Sequence, residues 1–390
     1  MAPPKLYQNY DYDCSRASFI TIPLGTAGGL DESNLSSFLL TKKGSNVFIA
    51  LDAGTIWAGV SQFISSSSKC SRFFDITYPS WATTVDQKVA WFIRNHILGY
   101  FIGHSHLDHV QGLIESSPED YLSSIAFDFK PPINNGLLQI LRSLLSPAQQ
   151  QQSNPSPTIL QKKSIIGLPY TINAIQTHLF NNVIFPNLPS FGRYEYFTLD
   201  NTVKYNLIDL VTVNETQKSS MKGQFPNNIQ ITPFELCHND IMSSAFLFQD
   251  MTTNEQIVFF SDTGVPSGNY NCDWKEKINV VWRNIKIDKL KAIFIESSFT
   301  SNTSDSQMYG HLRPKDVMAL MEPLLMKSQQ TIPRTTSLRH VKLIIEHIKP
   351  LANQFYSRLS LKQQIFKELT DNNPFNINVI IPQQGEPICI

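Results

Sequence analysis

The sequence predicts an α/β protein in which two packed, mixed β-sheets are flanked by helices. Three observations carry that prediction. Closely spaced β-branched and aromatic runs occupy residues 19–24, 37–40 and 47–51, with short turns at 25–29 and 43–44, the pattern of an antiparallel meander. Farther along, strands alternate with helices: 98–102 precedes a helical pattern from about Asp108, and 164–166 precedes another near 170–179. Further strand-like runs follow at 231–236, 245–248, 257–260, 292–295 and 341–345. Meander strands first and strand–helix units later are accommodated by two facing sheets with helices outside.

The 390 residues show no internal repeat. Polar stretches at about 117–160, 214–229, 301–310 and 328–337 read as excursions from one catalytic domain spanning 1–390; the clearest, AQQQQSNPSPT, is too polar and proline-broken for a core. Charges balance, 32 Lys and Arg against 32 Asp and Glu, so the basic footprint of a nucleic-acid-binding protein is missing. A small anionic substrate remains compatible, because a local metal charge can receive it. The N-terminal residues hold no apolar signal core and no run of about 18 apolar residues occurs, so a soluble, cytoplasmic protein without a membrane partner is expected. Cys14, Cys70, Cys237, Cys272 and Cys389 are odd in number and scattered, which favours reduced thiols over a disulfide framework.

Chemistry concentrates in the string Gly103-His104-Ser105-His106-Leu107-Asp108-His109. An apolar run enters it and a helical pattern of Val110, Leu113 and Ile114 leaves it, which places it on a strand-to-helix turn. Alternate residues there point different ways, so His104 and His106 can serve one metal ion while Asp108 and His109 turn toward a second. Imidazole with carboxylate suits Zn²⁺, less often Mn²⁺ or iron.

Two ions need more ligands, and candidates stand just beyond strand ends. His238 follows the run 231–236 by two residues, Asp262 follows 257–260 by two, and His347 follows 341–345 by two. Groups so placed converge on one edge of the sheets. The expected sets are His104, His106 and His238 for the first ion, and Asp108, His109 and His347 for the second, with Asp262 bridging. Taken alone, each is more often a surface or capping residue; that reading weakens once the turn motif demands partners. Asp52, ending the run before it, is expected to orient a metal-bound histidine. Cys237 is read as core, turned away from His238 by strand alternation. The glycine-rich turn at 25–29 lacks the Lys-Ser/Thr of a phosphate loop and is read as a tight turn near the site. His178 is read as structural on an apolar helical face, and His96 and His340 as surface residues.

The turn motif, the lone later histidine, Ser261-Asp262-Thr263-Gly264 and a last histidine together resemble the metallo-β-lactamase superfamily. More narrowly, GHSHLDHVQGL resembles the signature of class II 3′,5′-cyclic-nucleotide phosphodiesterases, the low-affinity fungal type. PLGTAGGLDESNLSSFLL, FIALDAGT, THLFNNVIFPNL, FFSDTG, IFIESSF and GHLRP continue that pattern over most of the chain. Two departures stand out: Asn239 where a glycine is expected, and Phe185 in place of a tryptophan, the second bearing on substrate fit.

The resemblance implies a metallo-β-lactamase-like αββα sandwich that hydrolyses cAMP and possibly cGMP to 5′-nucleotides. It implies two divalent ions, Zn²⁺ foremost, about 3.5 Å apart with a bridging hydroxide as nucleophile. It further implies that His311 is the general acid, held protonated and oriented by Glu296, with Asp108 counted in the catalytic set as well as among the ligands. The partner is then a small cyclic nucleotide, not a nucleic acid, and a homodimer is left open. A ribonuclease Z-like endonuclease shares the ligand set but calls for a basic surface. Lactonase or thioesterase sites usually lack the Glu296–His311 pair, and a non-enzymatic scaffold would have lost ligands that are all present here.

Overall fold

Both predicted strand groups form, each as one half of a sheet. The computed structural model describes residues 14–66, 73–117, 162–212, 225–267, 272–331, 337–350 and 359–390. The first sheet contains β1 (Phe19–Gly25), β2 (Ser37–Lys42), β3 (Phe48–Leu51), β4 (Ile97–Phe101), β5 (Lys163–Gly167) and β6 (Tyr194–Thr198). The second contains β7 (Tyr205–Asn206), β8 (Ile229–His238), β9 (Ile241–Asp250), β10 (Gln256–Phe260), β11 (Leu290–Glu296), β12 (Lys342–Glu346) and β13 (Asn378–Ile380). A last strand, β14 (Ile388–Cys389), returns to the first sheet, giving the orders β14-β1-β2-β3-β4-β5-β6 and β13-β12-β11-β10-β9-β8-β7.

Each sheet changes from antiparallel to parallel where helices enter the chain. β1, β2 and β3 pair antiparallel, as do β7 to β10. The crossovers α1 (Trp57–Ser65) with α2 (Val85–His96), then α3 (Leu107–Glu115), then α4 (Pro169–Ala174), make β3 to β6 parallel. After the short α5 (Leu207–Leu210), the helices α6 (Trp274–Asn284), α7 (Pro314–Thr331) and α8 (Leu361–Asp371) do the same for β10 to β13. A parallel connection needs a crossover, and the helix that makes it covers the sheet's outer face. Every residue of β1, β3, β4, β5 and β10 is buried, and in β3 and β4 this reads as an unbroken apolar run.

Three apolar layers result: one under the helices of each sheet, and one between the sheets. The middle layer is aromatic, with Phe38 edge-on to Phe294 and Phe101 edge-on to Phe246, each at 5.4 Å. Truncating such a buried phenylalanine to alanine costs about 3–5 kcal/mol, so this layer holds the two sheet edges in register for the site they share.

Several sequence expectations are corrected. The stretch from Ser328 to Thr331 is the last turn of α7 instead of a loop, with Ser328 buried. The polar stretch at 301–310 contains a short 3-10 turn, Asp305–Gln307, clamped by Arg313, whose guanidinium reaches Asp316 at 2.6 Å and Asp305 at 2.8 Å. Most of the expected excursions at 117–160 and 214–229 lie outside the described residues. His178 sits exposed on a π-helical turn (Ile175–Leu179), not on the apolar face; His96 is half-buried, its Nδ1 2.6 Å from the Asn46 carbonyl.

The reduced-thiol expectation is overturned. Cys14 is bonded to Cys389 and Cys237 to Cys272, with Cα atoms 5.3 and 6.2 Å apart, inside the bridging range. Return of β14 beside β1 is what brings residues 375 apart in sequence together, a proximity no local spacing announces. The cytosolic expectation thereby loses the support it drew from the cysteines. Among the described residues no helix is long and apolar enough to cross a membrane.

Candidate active site

The C-terminal ends of β3, β4, β8, β10, β11 and β12 meet at one edge of the sandwich. They deliver Asp52, the His104–His109 turn, His238, Asp262, Glu296 and His347. Two of these strands stop in left-handed residues, Asp52 at φ 54° and His347 at φ 55°. Asn239 at φ 51° and Tyr309 at φ 50° flank the same centre. Left-handed backbone in non-glycine residues costs free energy and gathers where a site over-determines it. It also accounts for the glycine expected at 239, a role asparagine tolerates.

Asp262 is the hub. Its Oδ2 lies 3.8 Å from His104 Nε2, 3.4 Å from His109 Nε2, 3.8 Å from His238 Nε2 and 3.2 Å from His347 Nε2. Asp108 Oδ2 stands 3.2 Å from His347 Nε2 and 4.0 Å from His109 Nε2. The expected groupings therefore exist as geometry: His104, His106 and His238 cluster within ligand reach of one another, Asp108, His109 and His347 form a second cluster, and Asp262 joins His104 and His109. His106 is the exposed member.

The opposite ring atoms are held from behind. His109 Nδ1 donates to Asp52 Oδ2 at 2.7 Å and His238 Nδ1 donates to the Gly310 carbonyl at 3.0 Å. Ser261 Oγ donates to Asp52 Oδ2 at 2.8 Å, which leaves its lone pair for His104 Nδ1 at 3.1 Å. Ser298 Oγ donates to Glu296 Oε2 at 2.6 Å and receives His347 Nδ1 at 3.0 Å. With each Nδ1 committed, each Nε2 faces the centre. The Nε2 atoms of His104 and His109 are buried without a hydrogen-bond partner among the described residues, a costly state that a metal ion would resolve. The donor set of imidazole nitrogen and carboxylate oxygen fits a divalent ion such as Zn²⁺.

Electrostatics follow from burial and crowding. Burial lowers His104 well below the ordinary imidazole value, with His109 adding to it, and takes His238 down to about 4. His109 is the exception: burial would lower it, but the charges of Asp262, Asp52 and Asp108 outweigh burial and hold it well above. Burial would raise Asp262, yet His347 and His109 keep it ionised.

His311 enters from the loop before α7, bridged to Val265, and its ring stacks on His347 at 5.0 Å. Its Nδ1 lies 2.9 Å from Glu296 Oε2, and Glu296 is fully buried. Burial, with Asp262 adding to it, pushes the Glu296 carboxyl up to about 7, while burial takes His311 down to about 4. Both shifts reflect the cost of placing two adjacent charges in a buried setting.

Sequence reading missed the groups behind the ligands. Ser261 and Ser298 each adjoin or nearly adjoin a recognised residue, but serines at strand ends are common and carry no distinguishing signal. Glu346, beside His347 and buried, is held well above the carboxylate range by burial and the charge of Asp52. Gly28 packs against the His347 ring: a Cβ there would lie 2.4 Å from Cε1 and Nδ1. The tight-turn reading of residues 25–29 anticipated its place but not its partner.

Two facing mixed sheets with a histidine–aspartate cluster at their strand ends define a metallo-β-lactamase-fold hydrolase. The fold is that of unliganded yeast PDE1, matched at TM-score 0.69 and 18% identity over 96% of this chain and 100% of that one. The metallo-beta-lactamase fold protein YhfI from Bacillus subtilis matches at TM-score 0.50 and 11% identity over 95% and 98%. Residues 13–385 match the family of class-II cAMP phosphodiesterases. A Dictyostelium discoideum protein named cAMP/cGMP-dependent 3′,5′-cAMP/cGMP phosphodiesterase A is 56% identical over 378 residues, 97% of this chain and 82% of its own length. Another from that organism, cAMP/cGMP-dependent 3′,5′-cAMP/cGMP phosphodiesterase 7, is 48% identical over 97% of this chain and 88% of its own. A 3′,5′-cyclic-nucleotide phosphodiesterase of Aliivibrio fischeri is 29% identical over 97% and 95%. The chain belongs to the class II cyclic-nucleotide phosphodiesterases and is an enzyme of that kind.

Proposed function

We propose that this enzyme hydrolyses 3′,5′-cyclic AMP and GMP to the 5′-nucleotides at a two-metal centre held by His104, His106 and His238 on one side and Asp108, His109 and His347 on the other, with Asp262 between them. The observation that carries the reading is the convergence of four Nε2 atoms on Asp262 Oδ2, each imidazole fixed through its Nδ1. Two divalent ions bound there, Zn²⁺ by the donor set, supply an activated water and draw charge from the phosphoryl oxygens.

The chain's own residues do the rest. Asp52, Ser261, Ser298 and the Gly310 carbonyl hold the imidazoles by Nδ1 with Nε2 aimed inward. The ring nitrogen His311 Nε2 carries the proton that the departing 3′ oxygen takes as its bond to phosphorus breaks. Glu296, 2.9 Å from His311 Nδ1, orients that ring. Asp108 belongs to the catalytic set as a ligand of the second ion beside His109 and His347. The small substrate agrees with the balanced charge of the chain.

The test is to assay purified, zinc-loaded protein on 3′,5′-cAMP and 3′,5′-cGMP with and without a chelator, identifying products by chromatography. Chelator-sensitive release of 5′-AMP and 5′-GMP is expected. Absence of hydrolysis by protein carrying two ions would overturn the reading, and lactones and precursor tRNA would be the next substrates.

A further inference from the structure

Among the described residues, three aromatic rings lie against His311: His238 at 4.8 Å, His347 at 5.0 Å and Phe299 at 5.9 Å between ring centroids. The first two belong to the proposed ligand sets. Phe299 has no donor atom for an ion, and its ring meets the imidazole at an interplanar angle of 66°. It joins none of the three apolar layers, neither as a buried member nor as a partly buried side chain packed against one. Instead it stands half-buried, three residues past Glu296. A phenylalanine outside the core forgoes much of the burial that usually accounts for its presence. The backbone around it is pinned. Ser298 N–H donates to the Leu312 carbonyl at 2.9 Å, the Ser298 carbonyl accepts from Lys349 N–H at 3.2 Å, and Ser301 N–H donates to Glu368 Oε2 at 2.7 Å. The ring is therefore held out from a fixed stretch just beyond β11.

We infer that Phe299 is the nucleobase platform of this enzyme, its ring stacking against the purine of the bound cyclic nucleotide. The inference rests on the phosphodiesterase reading of the cluster, in which His311 protonates the departing 3′ oxygen. That oxygen and the base are carried by the same furanose ring, so an O3′ held at His311 leaves the base a near neighbour of the imidazole, where Phe299 stands. The part of the phenyl ring still in water is the surface that a stacked base would cover. Base–aromatic stacking tolerates any base, because every base has a π-face. A phenyl ring also carries no hydrogen-bond donor or acceptor with which to tell the edge of adenine from that of guanine. Recognition through Phe299 therefore admits both cAMP and cGMP.

The experiment compares zinc-loaded wild type, F299A, F299L and F299Y on cAMP, cGMP and methyl β-D-ribofuranoside 3′,5′-cyclic phosphate, which keeps the reacting diester and lacks a base. Calorimetric Kd values for 5′-AMP and ribose 5-phosphate give the same comparison without turnover. In F299A, kcat/KM for cAMP relative to the base-free diester is expected to fall about five- to a hundredfold, the range for removing one base–aromatic stack. The fall should come chiefly through KM, should be shared by cGMP, and should leave zinc content at the wild-type level. F299Y should recover most of the ratio. F299L, apolar but without a π-face, should not, and it carries the test if F299A fails to fold. An unchanged ratio in F299A and F299L overturns the inference. So does an equal fall on all three substrates, which would make Phe299 only a support for His311, and so does full recovery by F299L. Wild-type protein that hydrolyses neither cAMP nor cGMP would remove the underlying reading instead, whereas normal wild-type turnover with indifferent variants removes only the role of Phe299.

Discussion

Asp52 Oδ2 lies 2.7 Å from His109 Nδ1, and the same carboxylate accepts the Gly103 backbone N–H on Oδ1 at 2.7 Å. One buried side chain at the end of β3 thus fixes both ends of the histidine turn that follows β4, and through Ser261 it also steadies His104. Replacing it should loosen ligands without removing any. Asp52→Ala is expected to weaken zinc binding about 10- to 100-fold, the usual consequence of losing a group that orients a metal-bound imidazole. Competition against a chromophoric chelator measures this directly; wild-type affinity in the variant would show that the carboxylate only fills space.

Stripping the metal should do more than stop turnover. The buried Nε2 atoms of His104 and His109, without a hydrogen-bond partner among the described residues, would lose their metal contact, and the carboxylates Asp108 and Asp262 a counter-charge. Dialysis against a chelator is expected to abolish cyclic-nucleotide hydrolysis and lower the melting temperature, with zinc restoring both. The rise on adding zinc should grow with ion concentration, as binding to the native state alone requires. A melting curve indifferent to zinc would argue against a preformed site.

The His311–Glu296 pair separates chemistry from metal binding. His311→Ala is expected to cut kcat about 10²- to 10⁴-fold, the range for general acid–base catalysis, with zinc content unchanged. Glu296→Gln keeps the volume but removes the carboxylate that holds His311 Nδ1, so it should lose kcat as well. A His311→Ala protein with normal zinc and full turnover would end the acid role.

Gly28 offers a steric test. An alanine methyl would meet the His347 ring at 2.4 Å, so ring or turn must shift. Gly28→Ala should lower zinc stoichiometry at the Asp108, His109, His347 cluster while the three-histidine cluster stays occupied. A displacement of about 1 Å at a catalytic group can cost on the order of a hundredfold in rate. Full stoichiometry and rate would mean that the loop yields freely.

The two disulfides make a prediction about the intact chain. Without prior reduction, four of the five cysteines should resist alkylation. Reduction should destabilise the fold by about 2–5 kcal/mol for each bridge lost, read as a lower denaturant midpoint. Five readily alkylated thiols in native protein would contradict both bridges.

Much of the site was legible because its signals are local. The string from His104 to His109 occupies one turn, and His238, Asp262 and His347 stand at or just past the ends of recognisable apolar runs. Strand-end placement announces convergence before any coordinates exist, since parallel strands in a sheet end together. The short edge strands β6 and β7 were missed for the converse reason: they are partly exposed and lack the apolar run that burial on both faces imposes.

What the sequence determined by itself was therefore the inventory and its order: two sheets with outer helices, the metal-ligand candidates, and Asp52 behind them. Tertiary structure alone decided the rest. Which serine or carbonyl stands behind each imidazole, that Gly28 seats His347, that Glu296 meets His311 Nδ1, and that Cys14 meets Cys389 are all matters of distance between segments far apart in the chain. Periodicity and spacing report which face or end a residue occupies. Hydrogen bonds a few ångströms long, burial that moves protons, and contacts across hundreds of residues exist only once both sheets have packed.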